Sequence, residues 1–236
     1  MAEKPKSAEI YPGPGFRIRK KIKRPPLEII EEFRKYESPD ISDLMNRLYA
    51  MSRSIHHIVG DNKFVGPACT VKVYPGDNLM VHKALDVAKP GDVIVVDTGG
   101  TMTNAVIGDL VASKAKHRGI AGFVIDGLVR DYSALKEVDI PIFARGVTPI
   151  GPLHRGPGEL NFAISCGNIV VNPGDIVCAD QSGVVVVCKS FSTEILTRLR
   201  NQKESLDAYV ADVKKGIFSN AWVDNILNKS GCEFIE

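Results

Sequence analysis

The segment from Gly108 to Asp131 constrains the fold most strongly, because it predicts a helix that turns directly into a buried strand. Apolar residues at helical spacing are followed by a basic last turn and a glycine: Ile107, Leu110, Val111, Ala115, Lys116, His117, Arg118 and Gly119. Residues 120–125 then form a short apolar run typical of a buried strand. At about 1.5 Å per helical residue and about 3.3 Å per strand residue, the strand returns past the start of the helix. We therefore expect the loop with Arg130 and Asp131 to lie over the turn that bears Asp109.

This geometry would bring two carboxylates and one guanidinium to a helix N-terminus. The exposed backbone N–H groups of a helix start favour an anion, and carboxylates are ligands suited to a hard divalent cation. The residues alone also allow a plainer interpretation, in which Asp109 caps or charges the first helical turn and Arg130 and Asp131 are ordinary loop charges. Any helix–strand pair brings loops together, so spacing by itself does not decide between the two.

Composition limits the class of protein. A chain of 236 residues that is 44% hydrophobic can bury one sizeable core. Its formal net charge of +2 gives no support for nucleic acid as a main partner. We find no apolar run of membrane-spanning length and no stretch of signal-peptide type, so we expect a cytoplasmic protein with no membrane partner. The five cysteines include no C-x-x-C pair, which argues against a zinc or redox site.

The chain divides into a basic N-terminal arm, residues 1–26, and a single domain, residues 27–236, that ends in a helix and a tail. The arm suits either binding to nucleic acid or an anionic surface, or a solvated extension that lies across a neighbouring subunit or stays mobile; the small number of aromatic residues in it favours the extension. Within the domain, helices are predicted near 27–35, 41–51, 79–87, 104–118 and 192–215, and strands near 64–73, 93–97, 120–125 and 140–144. Short strands broken by turns fill the region from 169 to 187. Helices first, then alternating helices and strands, and then a β-rich part predict an α/β or α+β layered domain.

A set of short motifs carries a family resemblance: Gly99-Gly100, Ala105, Gly108-Asp109-Leu110, Ala115-Lys116, Arg118-Gly119, Gly122, Ile125-Asp126-Gly127 and Val129-Arg130-Asp131. The chain resembles the metal-dependent 4-hydroxy-4-methyl-2-oxoglutarate/4-carboxy-4-hydroxy-2-oxoadipate aldolase family from about residue 29 to residue 215. That family includes the regulator of ribonuclease activity A, and many members carry the label dimethylmenaquinone methyltransferase. The resemblance implies an αββα-type sandwich similar to swivelling phosphohistidine-like domains.

The resemblance also implies an activity. Family members are class II-type aldolases that use Mg²⁺ or Mn²⁺ to release pyruvate from 4-hydroxy-2-oxo acids, and the same enolate arises when oxaloacetate loses CO₂. Trimers and hexamers are typical of such proteins. Neither GxGxxG nor a P-loop occurs in the sequence, which argues against a nucleotide cofactor and against methyl transfer.

Site roles follow from the same resemblance, residue by residue. Asp131 would ligate the metal directly, Asp109 would hold a water bound to the metal, and Arg130 would contact the keto oxygen. After the Gly108 turn, the backbone N–H groups of Leu110 and Val111 would hold the substrate carboxylate. Glu204 is the best match for a metal-shell glutamate from a neighbouring subunit, although it also fits a solvent-facing helical position.

Several alternatives stay open at this point. Gly99, Gly100 and Gly108 either let a substrate approach the backbone closely or simply form turns. The glycine-rich loop 151–158, which contains His154, suits either a cover for a site or an oligomer contact. A non-catalytic ribonuclease-regulator-like binding protein is the main functional alternative, but regulators of that kind lack the aspartate that directly follows the arginine here. A lyase or hydrolase acting on another small oxo acid is the third.

Overall fold

The computed structural model describes residue 7, residues 9–61 and residues 63–235, with the side chain of Glu204 excepted. These residues form two compact units, divided between residues 196 and 197. The helices are α1 (Leu27–Phe33), α2 (Ser38–Asp43), α3 (Leu79–Val87), α4 (Asp109–His117), α5 (Tyr132–Val138), α6 (Ser192–Lys214) and α7 (Ala221–Lys229). The strands are β1 (Phe16–Ile18), β2 (His56–Val59), β3 (Phe64–Val73), β4 (Val93–Asp97), β5 (Ala105–Ile107), β6 (Gly122–Val129), β7 (Ile142–Val147), β8 (Gly158–Leu160), β9 (Ile164–Cys166), β10 (Ile169–Val171), β11 (Ile176–Asp180) and β12 (Gly183–Val187).

The first unit is built around a sheet with the strand order β1-β8-β3-β4-β6-β7-β2. Strands β3, β4, β6 and β7 are parallel neighbours, and they are linked by crossovers that contain α3, α4 and α5. Every residue of β4 and β6 is buried, as expected for parallel strands covered on both faces. Strand β3 is long enough to pair with β11 at its start and with β4 further along.

Two apolar clusters lie on opposite faces of this sheet. Helices α3, α4 and α5 pack on one face, where residues such as Val81, Ala112 and Leu135 meet Ile94 and Ile125. The other face is covered by the short strands β9 to β12, whose apolar side chains meet alternate residues of β4 and β6. The alternation of strand side chains between the two faces sorts them into these clusters. The predicted α/β layered class is confirmed.

Several predicted boundaries were wrong. The predicted helix 104–118 begins with strand β5, and α4 starts only after Gly108, because 105–107 pairs with the end of β6. The helix expected at 41–51 is the short α2, which ends before Asn46 and Arg47; both have positive φ, which an α-helix cannot contain. The strand predicted at 120–125 begins at Gly122 and continues to Val129, through Asp126 and Gly127.

Part of the basic N-terminal stretch contacts the first unit. Strand β1 pairs in parallel with β8. Arg24 donates two hydrogen bonds to the buried Asp92 carboxylate, at 2.6 and 2.7 Å. The pKa of Arg24 is raised, mainly by its hydrogen bond to Asp92. The charge of Asp92 raises this pKa further, whereas burial lowers it.

The second unit, from residue 197 onward, contains the rest of α6 and the separate helix α7. Among the described residues, we find no helix with the length and apolar content needed to cross a membrane.

Candidate functional site

The start of α4 is the centre of the candidate site. Gly108 is the N-cap residue, and its carbonyl accepts the first helical hydrogen bond from the Ala112 amide at 3.1 Å. The amides of Asp109, Leu110 and Val111 therefore precede the first intrahelical bond and have no carbonyl partner within the helix. They provide N–H donors at the positive end of the helix dipole, where an anion is favoured.

Arg130 and Asp131 pack directly against this helix start. The Arg130 amide donates to the Ile107 carbonyl at 3.0 Å, which fixes the end of β6 beside the end of β5. Arg130 Nε lies 3.1 Å from Asp131 Oδ2. A methyl group on Gly108 would lie 2.3 Å from that Oδ2 and 3.3 Å from Arg130 Nε. The φ of Gly108 is extended, at −137°, so glycine is required here by the close approach of these side chains and not by the backbone conformation.

Asp131 has an unusual backbone conformation. Its φ and ψ are 58° and 42°, in the left-handed region, and it is the N-cap residue of α5. Aspartate is one of the few residue types besides glycine that tolerates this region, at a cost of about 1 kcal/mol or more. The conformation turns the chain sharply at the end of β6 and keeps the carboxylate beside Arg130.

A cleft of about 240 Å³ opens beside these residues. Its lining includes Gly108, Asp109, Leu110 and Val111 from the start of α4, together with the Arg130 side chain. Asp131 does not line the cleft; it borders on it through its ion pair with Arg130. The structure thus brings Arg130, directly after β6, into one surface with the predicted residues at the start of α4.

The cleft is also lined by residues that the sequence had not placed at the site: Asn78 at the N-cap of α3, His82 from α3, Lys114 from α4, and Pro152 and His154 from the loop before β8. The rings of His82 and His154 lie edge to face with centroids 5.5 Å apart. Only the glycine-rich loop pointed to His154, and nothing in the sequence linked it to α3.

The charges around the cleft are mixed. Among the described residues, Lys114, Arg130 and Asp109 line it, and the Asp131 carboxylate borders on it through its ion pair with Arg130. The pKa of His82 is lowered from its ordinary value, first by burial and then by the charges of His154 and Lys114. His82 is therefore predominantly neutral at pH 7, and an anionic ligand is favoured by the amides at the start of α4 together with Lys114 and Arg130.

The donor set beside the cleft fits a divalent cation that keeps most of its waters. Within the described part of the chain, the Asp109 carboxylate and Oδ1 of Asp131 accept no protein hydrogen bond, so both are available as oxygen ligands. No group of three or more His, Cys, Asp or Glu side chains within that same part is arranged to hold a metal. Mg²⁺ does not need one, because it is commonly held by one or two carboxylates plus water and substrate oxygens.

A second aspartate pair lies inside the fold, at the ends of adjacent strands. Asp97 and Asp126 are register partners on β4 and β6. The Asp126 carboxylate accepts hydrogen bonds from Arg145 and, at 2.8 Å, from the Gly167 amide. Asp97 accepts from the Gly99 amide at 2.8 Å, and Lys72 Nζ lies 3.3 Å away.

Two glycines predicted as substrate-approach or turn residues follow Asp97 and Thr98 in the chain. Gly99 and Gly100 both have φ of 70° and form the turn after β4. Neither lines the cleft at α4. The side chain of Glu204, the predicted metal-shell residue, lies outside the described residues, and its role stays a prediction.

Comparison with known proteins identifies the family. The RraA-like family, described as Aldolase/RraA, matches residues 38–186. A relative from Halalkalibacterium halodurans, named "Putative 4-hydroxy-4-methyl-2-oxoglutarate aldolase", is 37% identical over 205 residues, which are 86% of this chain and 98% of the relative.

Solved structures give the same result. RraAS2 of Streptomyces coelicolor, titled an unusual member of the RNase ES inhibitor RraA protein family, superposes with a TM-score of 0.74 at 27% identity, covering 80% of this chain and 98% of that one. The RNA-processing inhibitor RraA from Thermus thermophilis has a TM-score of 0.60 at 32% identity, over 64% of this chain and 92% of that chain. The resemblance that the motifs predicted is confirmed, and the chain belongs to the RraA-like Aldolase/RraA family.

Proposed function

We propose that this protein is a divalent-metal-dependent aldolase. It cleaves a 4-hydroxy-2-oxo acid to pyruvate and a second oxo acid, and it decarboxylates oxaloacetate. The observation that carries the proposal is the packing of Arg130 and Asp131 over Gly108, beside the free amides of α4. The name of the relative from Halalkalibacterium halodurans supports the same reaction class.

The substrate's 2-oxo acid end suits the start of α4. The amides of Leu110 and Val111 would bind the C1 carboxylate, because the positive end of the helix dipole favours negative charge. The Arg130 guanidinium lies between Gly108 and Gly151; a methyl group on Gly151 would be 2.6 Å from Nη1. Held there, the planar fork of donors would contact the keto oxygen and stabilise the negative charge that develops on it.

Asp131 and Asp109 would hold the metal ion, with Glu204 of a neighbouring subunit as the proposed third carboxylate. When bound, Mg²⁺ or Mn²⁺ supplies Lewis acidity at the keto group. We propose a homotrimer or homohexamer, because a residue donated across an interface requires an assembly.

The test is pyruvate release from oxaloacetate and from 4-hydroxy-4-methyl-2-oxoglutarate, with Mg²⁺ and with a chelator. Asp131→Asn keeps a side chain that tolerates the left-handed backbone but removes the ligand charge. We expect kcat to fall about 10²- to 10³-fold, the range for loss of one preorganised electrostatic contact.

Asp139→Asn is the matched control. Asp139 lies at the other end of α5 with a left-handed φ of 54°, and its exposed carboxylate is 3.8 Å from Lys116 Nζ. The control should match the parent. The metal-dependent mechanism would be refuted if Asp131→Asn were as active as the parent, or if the chelator left the rate of pyruvate release unchanged.

The alternative function, ribonuclease inhibition, is supported by the likeness to the two RraA proteins described above, which are named as RNase or RNA-processing inhibitors. A purified ribonuclease E-type enzyme inhibited by this protein, with no pyruvate formed in either assay, would favour that alternative.

A further inference from the structure

His154 lies in the loop between β7 and β8, and this loop is fixed to the start of α3. The backbone N–H of Asn78 donates to the Leu153 carbonyl at 2.9 Å. The Arg155 amide donates to Asp77 Oδ2 at 2.5 Å. Leu153 and Arg155, on the two sides of His154, are therefore both held by hydrogen bonds to residues directly before α3, although the His154 side chain itself is exposed.

The hydrogen bonds of Asn78 determine which ring nitrogen of His154 carries the hydrogen. Asn78 is buried, and its Nδ2 donates to the Val106 carbonyl at 2.9 Å. A carbonyl can only accept, so the amide orientation is fixed and Oδ1 faces His154 Nδ1 at 2.6 Å. An amide oxygen also only accepts, so Nδ1 of His154 must be the donor. In the neutral ring, Nε2 is left unprotonated and basic.

The basic nitrogen belongs to a residue that lines the same cleft as Asp109 and Arg130. The charged or titratable neighbours that line this cleft with it are His82 from α3 and Asp109 and Lys114 from α4, besides Arg130. His82 is mostly neutral at pH 7 because its pKa is lowered. A proton taken up by His154 therefore does not meet a second imidazolium 5.5 Å away.

We propose that His154 Nε2 accepts the proton of the substrate's C4 hydroxyl during aldol cleavage, an inference that rests on the proposed function. As the O–H bond breaks, its electron pair forms the C4 carbonyl of the second oxo acid. The C3–C4 bond breaks, and its electron pair becomes the C2–C3 double bond of pyruvate enolate. The imidazolium then returns its proton to C3 of the enolate, which gives pyruvate and restores the neutral ring. No external oxidant or reductant is needed.

The proposed role of His154 is needed in aldol cleavage but not in decarboxylation, so it distinguishes the two reactions of the site. Oxaloacetate has no C4 hydroxyl, and its C3–C4 bond breaks as CO₂ leaves, so no proton has to be removed before the enolate forms. Loss of His154 should therefore slow aldol cleavage much more than decarboxylation. A residue that only shaped the cleft would affect both reactions alike.

The experiment compares His154→Gln with the parent and with His56→Gln, an exposed histidine on β2 outside the cleft. Both reactions are measured with Mg²⁺ from pH 5 to 9. We expect kcat for aldol cleavage to fall about 10²- to 10⁴-fold in His154→Gln, the usual range for a general base. The ratio of aldol to decarboxylase kcat should fall by about 10² or more, and the acidic limb of the aldol pH profile should disappear.

A second measurement does not depend on activity. Long-range ¹H–¹⁵N correlation spectra of the parent at the alkaline end of this pH range, with the His154 signals assigned by their loss in His154→Gln, should show the Nδ1–H tautomer. An Nε2–H tautomer overturns the inference, and so does an equal fall, or no fall, of both activities in His154→Gln. If the parent catalyses neither reaction, the proposed function is refuted, and the base role with it. If the parent catalyses both reactions and His154→Gln does not slow aldol cleavage selectively, only the role of His154 is refuted.

Discussion

The first unit contains two aspartate pairs that each lie beside an arginine, and the two sets differ in burial. Asp97 and Asp126 with Arg145 lie within the sheet layers, where the Asp126 side chain is only 9% exposed. Asp109 and Asp131 with Arg130 lie at the start of α4, where the Asp131 side chain is 39% exposed. The same residue types therefore occupy two very different environments.

The two sets also differ in how their oxygens are used. Both oxygens of Asp126 accept protein hydrogen bonds, and both oxygens of Asp97 have a protein partner. Their charge is felt locally, because burial first and then these two carboxylates raise the pKa of the Cys166 thiol well above its ordinary value. At the other site, Asp131 has one partnered oxygen. An aspartate pair whose oxygens all have protein partners stabilises the fold, whereas a pair with unpartnered oxygens remains able to bind a ligand.

Strand β6 and the two residues directly after it contribute to both sets. Asp126 lies within the strand and faces the layer of β9 and β10, whose connecting turn provides the Gly167 amide. Arg130 and Asp131 follow the strand, where the chain turns away from the sheet into α5. A difference of four or five positions along the chain thus separates a structural aspartate from a candidate catalytic pair.

Asp126→Asn should have the largest effect and should act on stability. It leaves the Arg145 guanidinium, whose side chain is 21% exposed, without its counter-charge. Removing one partner of a buried ion pair costs about 3 kcal/mol or more in free energy of unfolding. Urea unfolding at pH 7 measures this loss. The kcat of the folded fraction, assayed at low temperature, should equal that of the parent.

The opposite outcome would remove the distinction between the two aspartate pairs. If Asp126→Asn unfolds at the parent's urea midpoint and instead loses pyruvate release, the buried pair belongs to the active site. Asp131→Asn, measured side by side, should show the reverse pattern, because a half-exposed ion pair contributes at most about 1 kcal/mol.

Gly108→Ala should have the next largest effect and should act on activity. The new methyl group would lie 2.3 Å from Asp131 Oδ2, so the carboxylate must move by about an ångström. A displacement of that size in a reacting group can cost about 10²-fold in rate. We expect kcat/KM for oxaloacetate to fall by about 10- to 10²-fold, with circular dichroism unchanged.

Gly151→Ala tests the same guanidinium from its other side. Its methyl group would lie 2.6 Å from Arg130 Nη1, the end of a long and flexible side chain that can shift more easily. We expect a smaller loss than in Gly108→Ala. A larger loss in Gly151→Ala would show that the position of Arg130, and not that of Asp131, limits the reaction.

The sequence predicted the site better than it predicted the segments around it. Helix periodicity and the apolar run at 120–125 were sufficient to place Arg130 and Asp131 over α4, because short local elements fold back predictably. Strand β5 was hidden, since three apolar residues before a glycine also fit the first turn of a helix. The wall with Asn78 and His154 was not predictable, because it depends on a hydrogen bond between residues 76 positions apart.

The smallest expected effect concerns the pH dependence of stability, through His82 in the cleft beside Asp109 and Arg130. In the folded chain the pKa of His82 is below its ordinary value of 6.5, mainly through burial and further through His154 and Lys114. The unfolded chain therefore binds this proton more readily, so the stability contributed by neutral His82 is present above about pH 6.5 and is lost as the pH falls toward the folded pKa.

The free energy of unfolding of His82→Gln should depend less steeply on pH below 6.5 than that of the parent, as measured by urea unfolding at several pH values. His154→Gln should fall between them, because it removes only one of the charges that lower the His82 pKa. Parallel curves for all three proteins would show that His82 is as solvated in the folded protein as in the unfolded chain, and the cleft wall would then be more open than the structure indicates.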